Sequence, residues 1–295
     1  MKNPIFRGAA TALITPMNEK GVDFPALERL VDWQISSGID ALVICGTTGE
    51  KSTLKNDEHL EVLRVAYSAA AGRVPMIAGT GSNDTAQAVF MSGEAAKIGY
   101  DAMLCSTPYY NKTTQEGLIT MFSVIAEASD RPIILYNVPS RTGIAIEPET
   151  YEALSHNPKI VGIKEANGDI SKIAQTAALV GDRVPIYSGN DDQIVPIMSL
   201  GGIGVISVLS NVLPQETHEM CRLFEEGKTA EAAAMQLKFL PLINALFSEV
   251  NPIPVKAAMA KMGFCENYLR LPLVPMSEQK KAHLFDCMRA LGIEI

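Results

Sequence analysis

Ile160-Val161-Gly162-Ile163-Lys164-Glu165 is the stretch on which the fold turns. Its first four residues run without a polar break and stop at a pair of charges. So short and continuous an apolar run predicts a strand covered on both faces, not one that alternates between core and water. Upstream lie runs of the same kind at Pro132–Asn137, Ala102–Ser106, Pro75–Ala78, Ala41–Cys45 and Ala9–Thr15, and downstream at Val184–Ser188 and Gly204–Leu209. Between them apolar residues recur at helical spacing, as in Leu27, Leu30, Val31 and Ile35, or Leu60, Leu63, Ala66 and Tyr67. Strands that start every 20 to 35 residues or so repeat at the interval of a βα unit. Eight such units predict an α/β protein, a (β/α)8 TIM barrel, whose usual length is about 250 residues. No G-x-G-x-x-G follows the first run, which argues against a doubly wound sheet.

Beyond Pro214 the strand signal stops. Ala230–Val250 reads as a long helix, apolar enough at Met235, Leu237, Phe239, Leu240, Leu242, Ile243 and Leu246 to be buried on both sides. Pro252 and Pro254 interrupt the pattern, Val255–Met262 resumes it, and Ser277 stands where it would cap a last helix over Lys280–Leu291. The expected organisation is a barrel over residues 1–225 and a helical extension over 226–295 packed on it.

The chain has 295 residues, 33 acidic and 25 basic, giving a net charge of −8, and 47% of it is hydrophobic. That much apolar content excludes a disordered chain. The acidic balance, without any run of Lys or Arg, removes the attraction to phosphate that nucleic-acid binding needs. No apolar run approaches the roughly 18 residues of a membrane span. Pro4, Gly8, Thr11 and Pro16 break up the N-terminus, unlike a secretory signal. A soluble, cytoplasmic protein is expected. Cys45, Cys105, Cys221, Cys265 and Cys287 form no C-x-x-C pair and read as free thiols of a reducing compartment. His59, His156, His218 and His283 are scattered, and no metal site is expected.

In such a barrel, chemistry sits at the C-terminal strand ends. There stand Gly46-Thr47-Thr48-Gly49-Glu50, Gly79-Thr80-Gly81-Ser82-Asn83, Thr107-Pro108-Tyr109-Tyr110, the segment Tyr136–Gly143 and Lys164-Glu165. Lys164 closes a buried run, and burial lowers a lysine pKa and frees its amine to attack a carbonyl. The competing role, a structural partner of Glu165, is disfavoured because adjacent strand residues face opposite ways. Tyr136 could move protons beside that amine, or be a packed ring with a wet hydroxyl. Thr47 and Thr48 could present hydroxyls and N–H groups to a carboxylate, although Gly-Thr-Thr-Gly also makes a plain turn. Arg141 offers a planar fork for a carboxylate, or is simply a surface arginine.

Gly46–Glu50, Tyr136-Asn137-Val138-Pro139-Ser140-Arg141-Thr142-Gly143, Gly162-Ile163-Lys164-Glu165 and the tail motif Asn251-Pro252-Ile253-Pro254-Val255-Lys256 resemble, in order and spacing, the dihydrodipicolinate synthase and N-acetylneuraminate lyase family. The likeness covers essentially the whole chain. Thr47 and Arg141 match the synthase branch; the lyase branch usually has serine in place of Thr47 and lacks the arginine. The resemblance implies that Lys164 forms an imine with pyruvate, and that Tyr136, linked through Thr47 to Tyr110 of the partner subunit, shuttles protons. Thr48 would hold the pyruvate carboxylate, Arg141 that of L-aspartate 4-semialdehyde, and Gly189 and Ile206 would complete the substrate pocket. No metal or organic cofactor is implied, because the imine is the electron sink, and homotetramers built as dimers of dimers are common. The product would feed diaminopimelate and lysine biosynthesis. Rival expectations are another 2-keto acid aldolase or lyase, such as an N-acetylneuraminate lyase, and a catalytically idle pyruvate-binding homologue.

In lysine-inhibited family members a dimer-interface cleft corresponds to Lys51, Ser52, Asn56, His59, Asn83, Gln87 and Tyr109. Lys51 and Gln87 depart from that pattern: a cation stands in the cleft, and an amide stands where sensitive members often have a carboxylate to meet the amine of lysine. Lysine is therefore expected to inhibit weakly or not at all, with half-inhibition above about a millimolar, the upper end of common metabolite KM values.

Overall fold

The computed structural model describes residues 2–295. Eight parallel strands close into a barrel. They are β1 Gly8–Ala12, β2 Ala41–Ile44, β3 Met76–Gly79, β4 Ala102–Ser106, β5 Ile133–Asn137, β6 Ile160–Glu165, β7 Ile186–Ser188 and β8 Gly204–Ser207. Every expected run forms a strand. The first and last are shorter than expected, because Leu13–Thr15 and Val208-Leu209 leave the sheet to build the barrel mouth. A short antiparallel ladder, Met17–Asn18 with Gly21–Val22, follows β1.

The barrel closes where β1 pairs with β8, Gly8 beside Gly204. The strands approach so tightly there that a Cβ on Gly204, at φ 147°, would lie 1.9 Å from the Gly8 carbonyl oxygen. Only glycine fits. Alternation along the strands then separates two apolar layers. Ala10, Val43, Ile77, Leu104, Ile134, Tyr187 and Ile206 fill the barrel interior. Leu42, Ile44, Met103, Leu135 and Ile163 face the surrounding helices and form the larger core with them. Asp23, Asp84, Thr114 and Asp169 cap helices of that ring through their side chains.

After the barrel helix Pro214–Glu225 come helices Thr229–Leu246, Ile253–Lys261 and Glu278–Ala290. The first of these corrects the expectation of burial on both sides. Phe239, Leu242 and Ile243 are buried, but Leu237 is 67% exposed and Phe247, just past the helix, 42%. The helix lies on the barrel by one face, and its dense apolar sequence leaves the other partly uncovered. Ser277 also differs from expectation: it stands at the N-cap position of the last helix, but its hydroxyl donates to Glu249 Oε1 (2.7 Å) instead of accepting from that helix. All five cysteines are free. Among the described residues no helix is long and apolar enough to cross a membrane.

Candidate active site

Tyr136 and Lys164 are register partners on β5 and β6, so their side chains leave the sheet side by side into the barrel mouth. The Lys164 Nζ lies 4.4 Å from the centre of the Tyr136 ring. Both side chains are buried, Lys164 being 5% exposed. Burial pulls the Lys164 ammonium down to about 7; Asp191 pulls it back up, and Arg141 adds to the lowering. The Tyr136 phenol moves the other way, raised by burial against the opposing pull of Arg141 and the Thr47 side chain. The result is an amine that loses its proton near neutrality beside a phenol that keeps its own.

Glu165 points out of the barrel, as strand alternation requires. Its carboxylate accepts from Tyr151 Oη (2.8 Å), from Asn137 Nδ2 (3.0 and 3.2 Å) and from the Asn167 amide (3.0 Å). Burial raises it to about 7 despite these donors. It is committed to the joint between barrel and helices, and the competing role for Lys164 as its structural partner falls away.

A cavity of about 160 Å³ opens over Lys164, and its wall includes Gly46, Thr47, Thr48, Tyr136, Arg141, Gly189 and Asn251. Gly189 takes its place because its amide donates to the Glu165 carbonyl at 2.7 Å and a Cβ would press within 2.7 Å of Ala166. Ile206, expected in the pocket, belongs instead to the apolar interior below it; Val208, two residues on, reaches the wall. Tyr110 is likewise absent from the cavity wall. It is 93% exposed, on a turn where its backbone is left-handed at φ 71°.

Two contributions were not visible in sequence, because both come from the C-terminal extension. Glu50, ending the Gly46–Glu50 turn at φ 54°, forms an ion pair with Lys256 in which the side chains are only 1% and 0% exposed. Asn251 donates from Nδ2 to Thr48 Oγ1 (3.0 Å), and its backbone carbonyl accepts from Arg141 Nη2 (2.9 Å). The tail motif Asn251–Lys256 carried the only signal, and nothing in its spacing says which loops it would touch.

Of the expected lysine-cleft residues, Lys51, Ser52, Asn56, His59, Gln87 and Tyr109 line one cavity of about 190 Å³. Asn83 does not line it; its carbonyl accepts from Asn111 Nδ2 at 2.9 Å. Lys51 Nζ donates to the Gly81 carbonyl inside the cleft. Gln87 Nε2 donates to Asn56 Oδ1 at 2.8 Å. His59, buried and facing Lys51, is pushed down to about 4.

A (β/α)8 barrel that sets a buried strand-end lysine beside a tyrosine under a cavity of about 160 Å³ at its mouth has the architecture of an enzyme. Residues 5–291 match the dihydrodipicolinate synthetase family, and the chain belongs to it. It is similar to the 4-hydroxy-tetrahydrodipicolinate synthase of Caldicellulosiruptor saccharolyticus, 54% identical over 99% of both chains. Among solved structures it resembles the dihydrodipicolinate synthase of Thermotoga maritima (41% identity, TM-score 0.96, covering 98% of this chain and 100% of the other). It also resembles the chloride-inhibited dihydrodipicolinate synthase of Acinetobacter baumannii complexed with pyruvate (42% identity, TM-score 0.95, covering 98% and 99%).

Proposed function

We propose that this chain is a 4-hydroxy-tetrahydrodipicolinate synthase, a lyase that condenses pyruvate with L-aspartate 4-semialdehyde. The observation that carries it is the placement of the Lys164 amine over Tyr136 in a cavity that Thr47, Thr48 and Arg141 also line. The neutral Lys164 amine attacks the pyruvate ketone; Tyr136 passes a proton to the carbinolamine oxygen, which leaves as water and gives the imine. Loss of a methyl proton makes the enamine. Its carbon attacks the aldehyde carbon of the second substrate, forming the C–C bond and turning the aldehyde oxygen into a hydroxyl. The substrate's own amine then adds to the imine carbon, closes the ring and releases Lys164. The imine carries the electron pair throughout, so the chemistry calls for no metal or organic cofactor.

Thr48 holds the pyruvate carboxylate and Arg141 that of the aldehyde. Arg141 also separates this reading from a sialic-acid lyase, whose sugar chain offers hydroxyls and no carboxylate at that end. Tyr110 completes the proton relay from the partner subunit; its full exposure on a left-handed turn supports use by a second copy, and a dimer of dimers satisfies it. The protein works in the cytoplasm, in keeping with its free thiols. Incubation of purified protein with pyruvate and L-aspartate 4-semialdehyde tests the assignment. The cyclic product should accumulate; consumption of pyruvate with a different aldehyde only would move the protein to another aldolase activity.

A further inference from the structure

Asn251 touches the active site twice and yet lies outside the barrel. Its side-chain nitrogen donates to Thr48 Oγ1 (3.0 Å), its backbone carbonyl accepts from Arg141 Nη2 (2.9 Å), and its own residue is 6% exposed in the wall of the Lys164 cavity. A threonine hydroxyl has one proton and two lone pairs. With one lone pair occupied by the Asn251 amide, the Thr48 hydroxyl retains its proton, and among the described residues no protein acceptor takes it. The proton is left for a ligand. Asn251 Oδ1 is buried and has no partner, so the contact to Thr48 is the one hydrogen bond that the side-chain amide makes.

We propose that Asn251 is a positioning residue that, by donating to Thr48 Oγ1, fixes the Thr48 hydroxyl as a hydrogen-bond donor to the carboxylate of pyruvate. The inference rests on the proposed function and assigns the C-terminal extension a part in capturing the first substrate. Its anchoring supports the role, since the buried Lys256–Glu50 pair ties the helix after Asn251 to the same Gly46–Glu50 turn that carries Thr48.

A double-mutant cycle with Asn251→Ala and Thr48→Val tests it, reading KM for each substrate. Loss of a hydrogen bond to a charged group should raise the pyruvate KM about tenfold in either single variant. Because both act through one hydroxyl, the double variant should be no worse than Thr48→Val alone. The aldehyde KM should stay within about threefold of the parent, because alanine keeps the backbone carbonyl that Arg141 uses. Additive losses, or equal rises in both KM values, would overturn the proposal. Should Asn251→Ala not fold, Asn251→Asp keeps the side-chain volume but can only accept, so it captures the Thr48 proton; the pyruvate KM should again rise, and an unchanged value would overturn the proposal. If the parent enzyme itself neither forms a pyruvate adduct nor turns over, the proposed function has failed, and that outcome is separate from a parent that turns over while the cycle is additive.

Discussion

Lys164 owes its lowered pKa to its place at the end of its strand. One residue earlier it would face the helices with Ile163, and one later it would join Glu165 in the hydrogen-bonded joint behind the barrel. In the mouth, burial brings its ammonium down to about 7. Only the free amine attacks a ketone, so pyruvate trapping at Lys164 should rise with pH and level off above an inflection near 7. An inflection left at the ordinary lysine value of 10.5 would contradict this environment. The same lowering costs stability: between about 7 and 10.5 the unfolded chain binds the proton that the folded one has lost, so this contribution to stability improves as pH rises through that window. Arg141→Ala should raise the aldehyde KM by at least about tenfold, the worth of one charge-assisted hydrogen bond, and the pyruvate KM far less. Equal rises in the two would reject its assignment to the second carboxylate. Lys164 and Tyr136 were legible because a strand end is marked by where apolar residues stop. Ile206 was misplaced by its two-residue distance from the rim, a distinction that depends on how far β8 runs before it turns.

The Gly46–Glu50 turn shows how one element depends on another distant in sequence. Its last residue, Glu50, is held in the left-handed region and neutralised by Lys256 from the helix Ile253–Lys261. Arg270 adds its backbone amide to Glu50 (3.3 Å) and its guanidinium to Glu58. Removing one member of a buried pair strands the other charge without water. Lys256→Met should therefore lower unfolding free energy by about 3–5 kcal/mol, read from urea denaturation. A loss below about 1 kcal/mol, the range of an exposed pair, would show that Glu50 is solvated or otherwise neutralised. The strands and most helices were visible as apolar periodicity. The faces of Thr229–Leu246 were not, because composition records how apolar a helix is and not whether a neighbour covers each side. The contact of Ser277 with Glu249 escaped for the same reason: an N-cap residue was readable, its tertiary competitor was not.

At the scale of the molecule, the barrel supplies Lys164, Tyr136, Thr47 and Thr48 and the extension supplies Asn251 and Lys256, while Tyr110, in the barrel loop after β4, lies outside the cavity wall and is 93% exposed. The proposed relay draws it from a second chain. Tyr110→Phe, which preserves the ring and removes only the hydroxyl, should lower turnover by about a hundredfold, the usual loss for an acid–base relay. Activity within about threefold of the parent would exclude Tyr110 from proton transfer. Family membership and the barrel could be read from ordered motifs along one chain. The joining of the extension to the Gly46–Glu50 turn is a property of the folded chain. The proposed chemistry depends above all on Lys164 as the nucleophile. Borohydride reduction with pyruvate present, followed by intact mass and peptide mapping, should find one pyruvate-sized adduct, on Lys164. An adduct on another lysine, or none, would contradict it.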